Sequence, residues 1–138
     1  MAIVIDANVC SIVFRKNSVY PELFKWLFFK DGKLGSGGLN YDELIKVTEV
    51  RKWLKLLDQI GKLKVIGKDN IEFELNLDKM QLCKSDDKHV IALMRAGRFR
   101  LICTDDKDLK GDVDNKRLLN KPRGKIYNEK SSNRLLRE

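Results

Sequence analysis

The stretch Ser85–Asp106, "SDDKHVIALMRAGRFRLICTDD", decides how this chain is read. Ser85 can cap a helix, Asp86 and Asp87 put negative charge in its first turn, and Gly97 stops it. "FRLIC" then reads as a buried strand running straight into Thr104 and the carboxylates Asp105, Asp106 and Asp108. A helix that feeds a short apolar strand is half of a βαβ unit. The acids that follow repel one another. Either they hang in water on a loop, or a cation is meant to sit among them.

Outward from that unit the same alternation continues. "AIVID", residues 2–6, is an apolar run ending in Asp6 and predicts a buried strand. "ANVCSIVF" predicts a first helix, and "PELFKWLFFK" a second with Pro21 in its first turn and Leu23, Phe24, Leu27 and Phe28 on the core side. "DGKLGSGG", residues 31–38, reads as a glycine-rich loop; it follows no predicted strand and lacks the GK[ST] ending of a phosphate-binding loop. "NYDELIKVTEVRKWLKLLDQIG" predicts one long helix, with Asn40 as N-cap, Gly61 at its end, and Leu44, Val47, Val50, Leu54 and Leu57 on one face. "LKVI" predicts a strand, and the alternation of Ile71, Phe73, Leu75 and Leu77 predicts another over "IEFELNL". "RGKIY" supplies a last short strand. The tail from residue 128 is polar and basic, fraying or docking through Leu135 and Leu136. Strand alternating with helix implies a three-layer α/β/α fold, Rossmann-like, with a mostly parallel central sheet in one domain spanning 1–138.

Composition narrows the function classes. The chain has 138 residues, 43% hydrophobic and 35% charged, which suits one globular core. No apolar run is long enough to span a bilayer, and "MAIVIDANVC" lacks a basic flank and contains Asp6, so neither a membrane segment nor a signal peptide is expected. Cys10, Cys83 and Cys103 lack CxxC spacing and read as free thiols in a reducing compartment, the cytoplasm. The net charge of +8 attracts polyanions, of which nucleic acid is the commonest. A protein basic overall but acidic at one spot is arranged like a phosphodiester-processing enzyme, with Lys and Arg on the backbone and carboxylates on a metal.

In a parallel sheet, sites form at the carboxyl ends of the strands. Asp6 and Asp106 lie just past strand ends, and Asp87 opens a helix that begins on the same edge. A carboxylate directly after buried apolar residues is costly unless partnered, which favours function for Asp6. Glu43 could equally close a capping arrangement with Asn40. Asp86 and Asp87 favour a helix dipole wherever they stand, and Asp105 reads as a solvated loop charge. Asp106 and Asp108 are better placed to point inward, and the Thr104 hydroxyl could orient one of the acids. Carboxylate oxygens suit Mg²⁺ or Mn²⁺, which can activate water and stabilise charge on a phosphodiester. His89, two residues from Asp87, is expected to face elsewhere in a structural role. Trp26 and Trp53 lie in helical apolar patterns and are expected in the core. No Ser–His–Asp arrangement is present to activate the tail serines.

With these residues in view, the chain resembles the PIN-domain nucleases. The resemblance rests on "IVIDANV", "NYDEL", "SDDKHVIALMRAG" and "LICTDDKDL", four motifs in the family's order over residues 2–109. "RGKIYNEKSSNRLL" is similar to the closing segment of some single-domain members. The resemblance implies Asp6, Glu43, Asp87 and Asp106 as the catalytic, metal-holding quartet, with Asp108 as a further ligand and Asn8 as a polar residue that helps orient the site. It implies Mg²⁺- or Mn²⁺-dependent endoribonuclease activity, with RNA as substrate; relatives that cut DNA flaps leave DNA open. Many small members are toxins held by an antitoxin, and many self-associate, so an antitoxin partner and a homodimer are expectations it carries. Residues 63–80 read as more strand-like than the helical segment the family has there. Two other readings compete. One is a non-catalytic RNA-binding or protein-interaction module that keeps the fold. The other, an aspartyl phosphotransferase, is disfavoured because "DANVC" lacks a second Asp two residues after the first.

Overall fold

In the computed structural model, which describes residues 1–15, 18–128 and 133–137, the N-terminal apolar run forms β1 (Ala2–Ile5) at the centre of a five-stranded sheet. Its side chains alternate between two cores. Ile3 and Ile5 face one apolar cluster, and Val4 faces the other. β4 (Leu101–Cys103) does the same, with Leu101 and Cys103 on the first face and Ile102 on the second. Both strands are buried on both sides, as the unbroken apolar runs require.

The remaining strands are β2 (Lys33–Gly37), β3 (Leu63–Ile66) and β5 (Lys125–Ile126), and the sheet order is β3-β2-β1-β4-β5. Every pairing among these strands is parallel. Helices α1 (Ala7–Val13), α2 (Pro21–Phe29) and α4 (Thr48–Gln59) pack on one face. Helices α5 (Lys68–Leu75), α6 (Lys88–Gly97) and α7 (Lys107–Asp114) pack on the other, and α3 (Gly38–Ile45) joins β2 to α4. The fold is thus a three-layer α/β/α arrangement. Among the described residues no helix is long and apolar enough to cross a membrane.

The first core holds Leu23, Trp26 and Leu27 of α2, and an aromatic group joins it. Trp53 is half-buried there, stacked on Phe14 at 6.4 Å and edge-on to Phe24 at 5.3 Å. Of the tail, Asn133–Arg137 forms a short 3₁₀ segment whose Leu136 is buried in this core, with Leu135 partly buried beside it. The described part of the tail therefore docks. Residues 129–132 and 138, including the serines, lie outside the described residues.

Four sequence expectations are corrected. Residues 33–37, read as loop, are strand β2 with Leu34–Gly37 fully buried. Their glycines make room for neighbours: a Cβ on Gly35 would stand 2.5 Å from the Phe99 ring, and one on Gly37 would stand 2.6 Å from the Ile66 carbonyl oxygen. The single long helix is two. Val47 takes an extended conformation between α3 and α4 and is exposed instead of joining the core stripe. The Arg51 guanidinium then donates to the Ile45 carbonyl at 3.3 Å, satisfying an acceptor freed by the break. Of residues 71–77, expected to be a strand, 71–75 lie in helix α5 (Lys68–Leu75). Ile71 and Leu75 face the core and Phe73 is exposed, a four-residue spacing that alternation had masked. Lastly, Ser85 is not the cap of α6: Asp87 holds that position, and the helix ends at Gly97 with Arg98 in the left-handed region at φ 56°.

Candidate functional site

The strand order reverses between β1 and β4: successive strands after β1 run to β2 and β3 on one side, while β4 and β5 lie on the other. Two neighbouring parallel strands whose connections leave in opposite directions open a crevice at their carboxyl ends. Asp6 follows β1 and Thr104 follows β4 at this point. The two strands are bound together there, since the Asp6 N–H donates to the Cys103 carbonyl at 3.0 Å.

Asp6 occupies the N-cap of α1, but its backbone does the capping. The Asp6 carbonyl accepts from the N–H groups of Val9 and Cys10 at 2.9 and 3.0 Å. Its carboxylate makes no capping bond and is only 5% exposed. Instead Oδ2 accepts a 2.8 Å hydrogen bond from the Thr104 hydroxyl. Thr104 Oγ1 in turn accepts from the Asp106 N–H at 3.1 Å, so one buried hydroxyl links the two acids across the strand ends. Asp106 caps α7, with Oδ1 accepting from the Leu109 N–H at 2.9 Å. The Cys10 thiol behind Asp6 is pushed well up by burial, then by Cys103 and Asp6, and stays protonated.

Asp87 completes the group. Its pKa lies above the ordinary carboxylate value because of partial burial first, then the charge of Asp6, with Asp106 and Asp86 adding and His89 opposing. The charges of three distant segments are therefore felt at one carboxyl group. Glu43, half-buried on α3, faces the same neighbourhood through His89, whose Nε2 lies 3.7 Å from Glu43 Oε1. His89 thus points toward the acids rather than away from them, because α3 packs against α6 and brings Glu43 across to it. Asn8, Asp86, Asp105 and Asp108 are exposed; Asn8 and Asp108 sit in the first turns of α1 and α7.

Three residues have a positioning role that the sequence does not reveal. Asp112 on α7 is 2% exposed, and its two oxygens accept from the N–H groups of Lys84 and Ser85 at 2.7 and 3.0 Å. The Ser85 hydroxyl then accepts from the Asp87 N–H at 2.9 Å. A carboxylate buried in α7 thus fixes the loop that presents Asp87. Its signal is legible in hindsight: Leu109, Asp112 and Val113 share the buried side of α7 at i, i+3 and i+4, so an acid stands at a core position. Ser36 and Asn40 are the other two. Asn40 is buried in the first turn of α3, not at its N-cap. Its Oδ1 accepts from the Ser36 hydroxyl at 2.6 Å, and its Nδ2 donates to the Ile5 carbonyl at 3.2 Å, the residue before Asp6.

The donor set is all oxygen, which suits a hard divalent cation. Among the described residues, however, no three carboxylate, imidazole or thiol groups stand close enough to hold one metal ion between them. No family model, curated protein or solved structure matches the chain.

Proposed function

We propose that this chain is a Mg²⁺- or Mn²⁺-dependent nuclease of the PIN-domain type, acting on RNA. The observation that carries this reading is the electrostatic proximity of Asp6 and Asp106 to Asp87 at the switch point of the sheet, where partial burial first and then its neighbours' charge disfavour the ionised form of Asp87. A divalent cation reverses that penalty, since it favours every ionised carboxylate around it. Mg²⁺ is ordinarily held by one or two carboxylates with water and substrate phosphate, so a closed protein cage is not required. Asp6, Asp87 and Asp106, with Glu43, would hold the ion, which supplies an activated water and stabilises charge on the phosphodiester.

The chain's own residues prepare that site. Thr104 fixes the rotamer of Asp6 through its hydroxyl. The Leu109 amide takes one oxygen of Asp106, leaving the other for a ligand. His89 steadies Glu43, and Asp112 with Ser85 sets the loop before Asp87.

Single-stranded RNA incubated with the protein and Mn²⁺ should be cut, EDTA should stop the cutting, and Asp6→Asn should abolish it. Intact RNA under every metal condition, or equal cutting by the mutant, refutes the proposal. A second reading, a non-catalytic RNA- or partner-binding module, is favoured by the lack of three ligating groups around one point among the described residues. Calorimetric titration separates the two: Mn²⁺ binding lost in Asp6→Asn supports the nuclease, and no Mn²⁺ binding beside salt-dependent RNA binding supports the module.

A further inference from the structure

We infer that the chain carries a second nucleic-acid site, a basic cleft that grips the phosphodiester backbone away from the acidic edge. An open cleft of about 680 Å³ is lined by Lys79, Arg95, Lys116, Arg117 and Lys121, together with Asn120 and Leu82, and by no carboxylate. It draws on three segments: the 3₁₀ turn Asp78–Leu82, the last turn of α6, and the loop after α7. Arg95 lies eight residues along from Asp87, about 12 Å of helix rise, toward the edge where β4 begins.

The cleft is built, not a chance gathering of mobile lysines. Arg95 is fixed in its wall: Nε donates to Glu74 Oε2 at 2.8 Å and Nη1 donates to the Leu118 carbonyl. The loop carrying Lys116, Arg117 and Lys121 is braced from within by Arg123, whose Nη1 donates to the carbonyls of Val113 and Leu119 at 3.1 and 3.3 Å. Asn115 Oδ1 accepts from the Arg117 N–H at 2.9 Å and sets the turn. Arg95 is the one lining cation with a carboxylate partner among the described residues. Lys79, Lys116, Arg117 and Lys121 are exposed and form no ion pair with a described residue. Four unneutralised cations around one concavity attract a ligand with closely spaced anionic groups. A nucleic-acid backbone fits that description, and its phosphates accept both from guanidinium forks and from ammonium groups. The choice of nucleic acid over other polyanions rests on the proposed function; the cleft itself does not depend on hydrolysis.

The test therefore measures binding without cleavage. Anisotropy of a fluorescent single-stranded RNA is followed in EDTA across a salt series, using wild type, Asp6→Asn and the triple variant Lys116→Ser/Arg117→Ser/Lys121→Ser. We expect Asp6→Asn to bind as well as wild type. The triple variant should lose at least tenfold, and the slope of log K against log salt should become shallower by about 2, the value for three lost single-strand contacts. Lys116→Arg/Lys121→Arg should bind like wild type, and all variants should keep the wild-type circular dichroism spectrum. A matched triple Lys30→Ser/Lys52→Ser/Lys55→Ser, on the opposite layer, removes the same charge and should bind nearly normally. Equal loss in that control, an unchanged slope in the cleft variant, or no wild-type binding at low salt overturns the inference. Displacement of the RNA by polyglutamate at equal charge concentration would assign the cleft to an acidic protein and overturn it too. Should RNA bind the cleft yet never be cut, the cleft stands and the nuclease proposal falls.

Discussion

Asp112→Asn tests the account of how Asp87 is held. The substitution keeps the shape of the side chain but replaces one acceptor oxygen with a donor. In the native protein each Asp112 oxygen takes one backbone N–H, from Lys84 and from Ser85. Asparagine can serve one of them through a neutral bond. The other N–H then meets an NH₂ group in a site that is 2% exposed. One charge-assisted bond weakened and one buried donor left unpaired together cost about 2–4 kcal/mol. For a domain of this length that lowers the melting temperature by roughly 10 °C. Asp114→Asn, exposed in the same helix, should stay within about 0.5 kcal/mol. Two local readouts separate a loosened loop from general damage. Amide exchange at Lys84 and Ser85 should accelerate more than exchange in β1. Cys83 should alkylate faster, because its thiol is held up by burial and then by the Asp112 charge, and the charge is gone. A mutant with the wild-type denaturant midpoint and unchanged protection at Lys84 and Ser85 would show that Asp112 does not support the loop.

Two further outcomes follow from the geometry. Asp87 holds its proton more tightly folded than unfolded, so between its ordinary value of 3.8 and its raised folded value the native state binds more protons, and metal-free stability falls as pH rises. Urea unfolding should thus find Asp87→Asn gaining on wild type at neutral pH but not below pH 3; a pH-independent difference, or a loss at neutral pH, contradicts the placement. Gly97→Ala puts a Cβ 2.2 Å from the Phe99 ring and should cost about 1–3 kcal/mol. Phe99→Leu should recover part of that cost in a double-mutant cycle, and strictly additive losses would mean the ring is not the obstacle.

Legibility in the sequence followed burial. β1 and β4 were readable because their runs are apolar on both faces, and an acid after such a run has few reasons to be there except a partner. Asp6 and Asp106 therefore stand out in the sequence itself. β2 is not readable, since only Leu34 of it is a large apolar side chain in the core: Gly35 leaves the space that Phe99 fills, and no pattern in residues 33–37 records it. α5 failed for a different reason. Ile71 and Leu75 satisfy both a two-residue and a four-residue repeat, and only the exposure of Phe73 decides between them. Ser36 and Asp112 are not legible because polar residues in glycine-rich or charged surroundings read as surface, and Asn40 reads as a helix cap, although each is buried and satisfied by a specific backbone or side-chain partner.

The two charge clusters share a cause in the topology. In a parallel sheet every returning helix starts at the carboxyl edge of the strands and ends at the other edge. Its positive pole therefore faces the edge where the acids gather, and its negative pole the opposite one. α6 follows this in part, with Asp86 and Asp87 before its first turn and Arg95 in its last, while Lys88 at its first position runs against it. α7 follows it in part: Asp106 caps it, Asp108 lies in its first turn, and Lys116 and Arg117 come just past its end. Asp112, in its last turn, runs against the dipole and is held there by two amides. Each pole is worth roughly 0.3–1 kcal/mol to a suitable charge, enough to offset part of the repulsion within either cluster. A chain built this way can keep acids crowded at one edge and cations at the other, so a nucleic acid bound to the cations as proposed would not be drawn across the carboxylates by the same contacts.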